Sequence, residues 1–206
     1  MRLLWERMLQ VILPEHCVGC GAPRVLLCEP CLQRVDYPHR IEEGGVFAAA
    51  SYADRVAREA IWAFKYRHGR RLAEPLAELL VERVWPHIER RAWNVVPVPL
   101  SAKRYRERGF NQAELLARIF AERTGTMLRV DLAVKHRHTP SQVSVEGMEK
   151  RRENISGAFR VTGNVRGAYC IVVDDVATTG ATIHEVRNEL LSNGAQRAIG
   201  VVVARG

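Results

Sequence analysis

The residues best suited to chemistry in this sequence lie between Tyr169 and Thr182. An apolar run, Cys170 to Val173, ends in two adjacent carboxylates, Asp174 and Asp175, and a turn carrying Thr178, Thr179, Gly180 and Thr182 follows. From Ile183 to Leu191 apolar positions recur at helical spacing, so the stretch reads as strand, loop, helix. At such a turn the loop amides and the free N–H groups of the first helical turn converge, and the helix dipole favours an anion. The threonine hydroxyls add donors and Gly180 permits close backbone approach, which makes a phosphate the natural ligand. The carboxylates of Asp174 and Asp175 would meet sugar hydroxyls beside that phosphate, or a Mg²⁺ riding on it. Neither a Walker loop nor a dinucleotide-binding glycine fingerprint is present. Capping a helix would not by itself need two carboxylates and three threonines in one turn.

A second constellation is Cys17 and Cys20, then seven residues, then Cys28 and Cys31. Two Cys-x-x-Cys knuckles supply the four thiolates of a tetrahedral structural Zn²⁺, with Gly19, Gly21 and Pro30 permitting the tight turns. A redox role would more usually show one such pair beside a βαβ unit. His16 reads as a neighbour because four sulfurs complete the shell, and Cys170 reads as core packing. A third is the basic run Lys103, Arg104, Arg106 and Arg108, with Tyr105 and Phe110 interleaved. These residues are poor core material and predict an exposed loop, facing the ligand crevice if it follows a strand of an open α/β sheet.

The elements that must position these groups follow from periodicity. Trp93 to Pro99 predicts a buried strand that delivers the basic run, and an amphipathic helix with Leu115, Leu116, Ile119 and Phe120 inward comes next. Leu128 to Val130 and Ala158 to Val161 predict short strands, and Ala198 to Ala204 a final buried one. Between them, Lys135 to Asn154 is long, polar and basic without periodicity, the profile of a lid. Nearer the start, an amphipathic helix over residues 1–13 precedes the cysteines, and Gly44 with Gly45 marks a hinge. Val46 to Tyr52 predicts a strand, Asp54 caps a helix running to Lys65, and a second helix covers Leu72 to Arg91, with Pro86 bending or ending it. Lys65 to Arg71 forms a basic turn.

The chain has 206 residues, 47% of them apolar, which suits one full domain with a small appendage. A net charge of +8 favours anionic partners such as polyphosphates or nucleic acid. No apolar run reaches the roughly 20 residues of a membrane span, and residues 1–13 carry charges unlike a secretory signal. The expectation is a cytoplasmic protein without a transmembrane segment, in a compartment where clustered cysteines hold metal.

Val172 to Thr182 resembles the phosphoribosyl pyrophosphate (PRPP) loop of type I phosphoribosyltransferases. Together with the cysteine knuckles, Val98 to Ser101 followed by Arg108 to Gln112, and the pattern Arg151, Asn154, Gly157, Phe159, it makes essentially the whole chain resemble the ComF family of bacterial competence-associated proteins. That resemblance implies an α/β type I phosphoribosyltransferase fold, a central mostly parallel sheet flanked by helices, with a small four-cysteine zinc head. The implied division is 1–45 for the N-terminal helix and head and 46–206 for the phosphoribosyltransferase domain, with its core at 91–206. It implies that Asp174 and Asp175 contact the ribose, that Val176, Ala177, Thr178, Thr179, Gly180 and Thr182 hold the 5′-phosphate, and that Ser101 to Arg104 form the pyrophosphate loop. Asp174, Asp175, Lys103 and Arg104 are then the catalytic set, Thr139, Gln142, Arg151, Arg152 and Asn154 belong to a flexible hood, and Cys17, Cys20, Cys28 and Cys31 bind zinc.

Two functions follow as expectations. One is Mg²⁺-dependent phosphoribosyl transfer from PRPP to an unknown acceptor, a glycosyltransferase activity; with no glutaminase domain ahead of the fold in this sequence, the acceptor chemistry is not glutamine-dependent amidotransfer. The other is a non-catalytic role in natural transformation and DNA uptake, in which the fold binds PRPP or a nucleotide while basic loops and zinc head engage single-stranded DNA or a helicase-like competence partner. Arginines beside Tyr105, Phe110, Tyr66 and Trp62 suit backbone tracking with base stacking.

Overall fold

The computed structural model describes residues 16–66, 69–136 and 157–206. The expected helix over 1–13 and the hood residues Thr139, Gln142, Arg151, Arg152 and Asn154 lie outside the described residues. At the centre are two nine-residue strands, β7 (Tyr169–Ala177) and β8 (Arg197–Arg205). Around them stand β1 (Glu42–Glu43), β2 (Val46–Ser51), β3 (Trp93–Pro97) and β4 (Met127–Leu128), in the order β1-β2-β8-β7-β3-β4. Every neighbouring pair is parallel except the β1–β2 hairpin. β7 and β8 are near-continuous β-branched runs because both faces of a parallel sheet are covered.

The helices are α1 (Glu29–Gln33), α2 (Arg55–Tyr66), α3 (Gly69–Arg83), α4 (Ala102–Arg108), α5 (Gln112–Thr124) and α6 (Ala181–Ser192). On one face Ile171, Val173, Val201 and Val203 pack against Phe64, Leu76, Leu80, Leu116 and Phe120 from α2, α3 and α5. On the other, Cys170, Val172 and Val202 meet Ile183, Val186 and Leu190 of α6. A separate antiparallel pair, β5 (Ala133–Lys135) and β6 (Phe159–Val161), lies beside α6. The amides of Gly157 and Val161 donate to the carboxylates of Glu185 (2.6 Å) and Glu189 (3.3 Å), so α6 holds the β5–β6 pair in place.

Several expectations are corrected. Gly44 and Gly45 are not a hinge but the two-residue turn of the β1–β2 hairpin, with φ of +60° and +75°, the mirror-image turn geometry that matches strand twist. Arg187 of α6 holds it by donating to the Gly44 carbonyl at 2.7 Å. The basic run is a helix rather than a loop: Ser101 caps α4 by accepting from the Arg104 amide at 3.3 Å, and Gly109, at φ +76°, ends it. No residue of α4 is buried, so its charges remain exposed as expected. The helix expected to run to Arg91 stops at Arg83, and Pro86 sits in a short 3₁₀ turn beyond. β4 lies at 127–128 instead of 128–130, Lys135 belongs to β5 instead of the lid, and Leu115 and Ile119 are half-buried while Ala113, Leu116, Ala117 and Phe120 fill the core.

The cysteine-bearing head shares the main core. Cys17, Leu26, Leu27, Leu32 and Val35 are buried in the same cluster as α2 and α3. Arg83, only 7% exposed at the end of α3, donates to the carbonyls of Val35 (2.9 Å), Gln33 (3.2 Å), Ala49 (3.3 Å) and Leu32 (3.4 Å), and its guanidinium lies 4.1 Å from the Tyr37 ring centre. Buried carbonyls need donors, and one guanidinium satisfies four of them.

Candidate functional site

β3 and β7 are parallel neighbours, yet the chain runs from β3 outward to β4 before crossing back to β7. Their carboxyl ends therefore flank a topological switch point, where open α/β sheets bind ligands. β3 delivers Ser101 to Arg104 to this crevice, and β7 delivers Asp174 to Thr182.

A small cleft is lined by Asp174, Val176, Ala177, Thr178, Thr179, Gly180, Ala181, Thr182 and Ile183. Gly180 is the residue before α6, at φ +69°, and no side chain caps the helix there. A Cβ on Gly180 would stand 2.9 Å from the His184 ring, so both backbone conformation and space require glycine. The amide of Ala181 donates to Thr179 Oγ1 at 3.4 Å. The loop can thus offer amides, hydroxyls and the positive end of a twelve-residue helix to one phosphate.

The two carboxylates separate. Both lie inside β7, where neighbouring side chains point to opposite faces. Asp174 is half-buried and lines the cleft, and its Oδ1 accepts from the Asp175 amide at 2.9 Å. Burial and the Asp175 charge push its carboxyl up to about 7, against smaller opposing effects of the Asp175 amide, Lys65 and Arg104. Asp175 is 5% exposed and pairs with Lys65 Nζ at 3.0 Å. Lys65 lies at the end of α2, the helix expected to run to it, but is not among the expected site residues.

Of the two catalytic cations expected on α4, Lys103 is 72% exposed with Glu107 4.0 Å away, whereas Arg104 is near enough to influence both Asp174 and Lys135. Ser101 is engaged as the α4 cap. Lys135, absent from the expected site, approaches the same crevice; burial first, then Arg104, depress its ammonium, and Asp174 opposes them.

At the other end of α2 the sulfurs of Cys17, Cys20, Cys28 and Cys31 lie within 4.8 Å of one another, with Cys17–Cys28 and Cys20–Cys28 both 3.6 Å. A tetrahedral Zn–S bond of about 2.3 Å implies sulfurs about 3.8 Å apart, so the cluster could hold a metal such as zinc. For Cys17, burial is outweighed by amide donors from Cys28, Cys20 and Gly19, and the thiol falls to about 6. Cys31 is pushed up to about 12, chiefly by the Cys28 sulfur. Such mutual opposition among thiolates is what a bound cation relieves. The knuckle docks on α2, with Arg55 donating to the Gly19 carbonyl at 2.9 Å and Asp54 accepting from the Asp36 amide.

A family described as "Phosphoribosyl transferase domain" matches residues 106–206. With the observed mostly parallel sheet, this defines a phosphoribosyltransferase-type fold carrying a four-cysteine head. Over 188 residues the chain is 31% identical to DNA utilization protein YhgH of Salmonella typhimurium, covering 87% of this chain and 79% of that protein. It therefore belongs to the family of that protein, a ComF-like family built on a phosphoribosyltransferase-type domain. Competence protein ComFC of Bacillus subtilis is 32% identical over 108 residues, 51% of this chain and 41% of its own. Among solved structures, the glutamine PRPP amidotransferase of B. subtilis aligns with a TM-score of 0.46 at 18% identity, over 69% of this chain and 30% of its own length. Among the described residues no helix is long and apolar enough to cross a membrane.

Proposed function

We propose that this protein binds Mg²⁺–PRPP at the carboxyl ends of β3 and β7 and transfers its phosphoribosyl group to an unidentified nucleophile in the cytoplasm. The observation that carries this reading is the single cleft shared by Asp174 and the loop from Val176 to Thr182, beside the cationic start of α4. The loop takes the 5′-phosphate, Asp174 faces the ribose hydroxyls, and Arg104, with Lys103 and Lys135 nearby, faces the pyrophosphate. As the bond from C1′ to the pyrophosphate oxygen breaks, the electron pair leaves with pyrophosphate and positive charge grows on the ribosyl centre. A carboxylate at the sugar and cations at the leaving group stabilise the separating charges. Mg²⁺, when bound, adds Lewis-acid neutralisation of the pyrophosphate. Calorimetric titration with Mg²⁺–PRPP tests binding, and pyrophosphate release with pooled bases and amines tests transfer. Failure of wild-type protein to bind would sink the reading.

A second reading rests on one exposed cluster. Trp62 and Tyr66 on α2 have ring centres 5.8 Å apart, and Arg108 of α4 lies 5.3 Å from the Tyr66 ring. Trp62, Tyr66 and Tyr105 are 44%, 61% and 53% exposed. Aromatic faces beside arginines suit sequence-tolerant stacking of single-stranded DNA, in keeping with the names of the relatives; a helicase-like partner would belong to the same role. Fluorescence anisotropy of a labelled oligonucleotide decides: the Trp62→Ala, Tyr66→Ala double variant should bind at least about tenfold more weakly. Equal binding would move DNA off this surface.

A further inference from the structure

Asp174 and Asp175 are adjacent in β7, and among the described residues Asp175 is the one with a cation at contact distance. We propose that Lys65 is a positioning residue of the site, holding Asp175 away from the ligand so that Asp174 alone meets the ribose. The inference rests on the PRPP reading of the cleft and goes on to assign its two acids different tasks.

The geometry forms a short relay. Lys65 Nζ is 3.0 Å from Asp175 Oδ1, with side-chain exposures of 18% and 7%, so the pair is largely withdrawn from solvent. Asp175 sits on the face of β7 that also carries Ile171 and Val173 in the core, while Asp174 sits on the opposite face and lines the cleft. The amide of Asp175 donates to Asp174 Oδ1 at 2.9 Å. Fixing the Asp175 side chain therefore fixes the peptide whose N–H orients Asp174. A carboxylate buried beside apolar residues without a countercharge is strongly unfavourable, so loss of Lys65 forces Asp175 to move or rearrange. Any such movement shifts the peptide whose N–H holds Asp174.

The lysine comes from a distant element. It occupies the last turn of α2, whose first turn is capped by Asp54 and joined to the cysteine head through Arg55. Lys65 is thus set by the packing of α2 on the sheet and needs no ligand to reach Asp175.

The test is a double-variant cycle with Mg²⁺–PRPP titrations and thermal melts. Lys65→Met should weaken binding at least about tenfold in the wild-type background and add nothing to Asp175→Asn, because both remove the same link. Lys65→Arg, which keeps the charge, should bind within about threefold of wild type. Asp174→Asn should cost far more affinity than Asp175→Asn. Unchanged affinity in Lys65→Met, equal additive losses in both backgrounds, or equal costs for the two aspartates would overturn the proposal. If Lys65→Met does not fold, the Lys65→Met, Asp175→Asn variant removes both charges, and its affinity should match that of Asp175→Asn. Absence of binding by wild-type protein would refute the PRPP reading instead. The melts then judge the pair alone, and additive Tm losses would overturn it.

Discussion

Asp174→Asn should make the protein more stable while destroying its ligand site. Burial and the neighbouring Asp175 hold the Asp174 carboxyl at about 7 against an ordinary 3.8. Between those values the folded state binds more protons than the unfolded one, so stability falls as pH rises through the window, and the whole cost is present above 7. Three units correspond to about 4 kcal/mol, an upper bound because the strand end can relax toward solvent. Asparagine keeps an oxygen for the Asp175 amide, bonded at 2.9 Å in wild type, and carries no charge. The expected gain at pH 8 is therefore about 1–4 kcal/mol, shrinking to about 0.5 kcal/mol or less near pH 4, where the folded carboxyl is protonated and the unfolded one about half so. Urea denaturation of wild type and variant between pH 4.5 and 8 measures the difference, and the contributions of all other titrating groups cancel in it to first order. Mg²⁺–PRPP should stabilise wild type but not the variant. A variant no more stable than wild type at pH 8, or a gain independent of pH, would refute the reasoning that functional charge is held here against the fold.

Three further outcomes are expected. Protein purified without added zinc should contain about one equivalent of Zn²⁺, lost on replacing Cys28 by Ser; elemental analysis that finds no metal, or a disulfide among the four cysteines, would contradict the knuckle. Arg83→Met should cost about 3 kcal/mol in urea denaturation, because carbonyls of Leu32, Gln33, Val35 and Ala49 lose a shared charged donor; a cost below about 1 kcal/mol would mean water replaces it. Gly180→Ala should weaken Mg²⁺–PRPP binding by at least tenfold, roughly 1.4 kcal/mol, because φ of +69° strains alanine and its methyl strikes His184. Wild-type affinity in that variant would show that the turn adapts.

What could be read from the sequence is what short-range pattern encodes. The run from Tyr169 to Leu191 declares strand, turn and helix through its own periodicity, and two Cys-x-x-Cys pairs declare a metal-sized cluster whatever surrounds them. Gly44 and Gly45 were ambiguous for a physical reason: tolerance of positive φ serves a hinge and a tight hairpin equally, and only pairing with Val46 and Phe47 decides. α4 carries no apolar stripe to reveal it, so the basic run reads as a loop; Ser101 and Gly109 emerge as its cap and stop only in the structure. The Lys65–Asp175 pair joins residues 110 positions apart, and no local signal links them; the meeting is made by α2 crossing the sheet. One part of that arrangement was nevertheless within reach. β7 does not end at the carboxylates but continues to Ala177, and a period of two then sends Asp174 and Asp175 to opposite faces. Placing the strand's end two residues early made two acids in different surroundings look like one paired device, although one of them, facing the core, had to find a cation from the layer of helices above it.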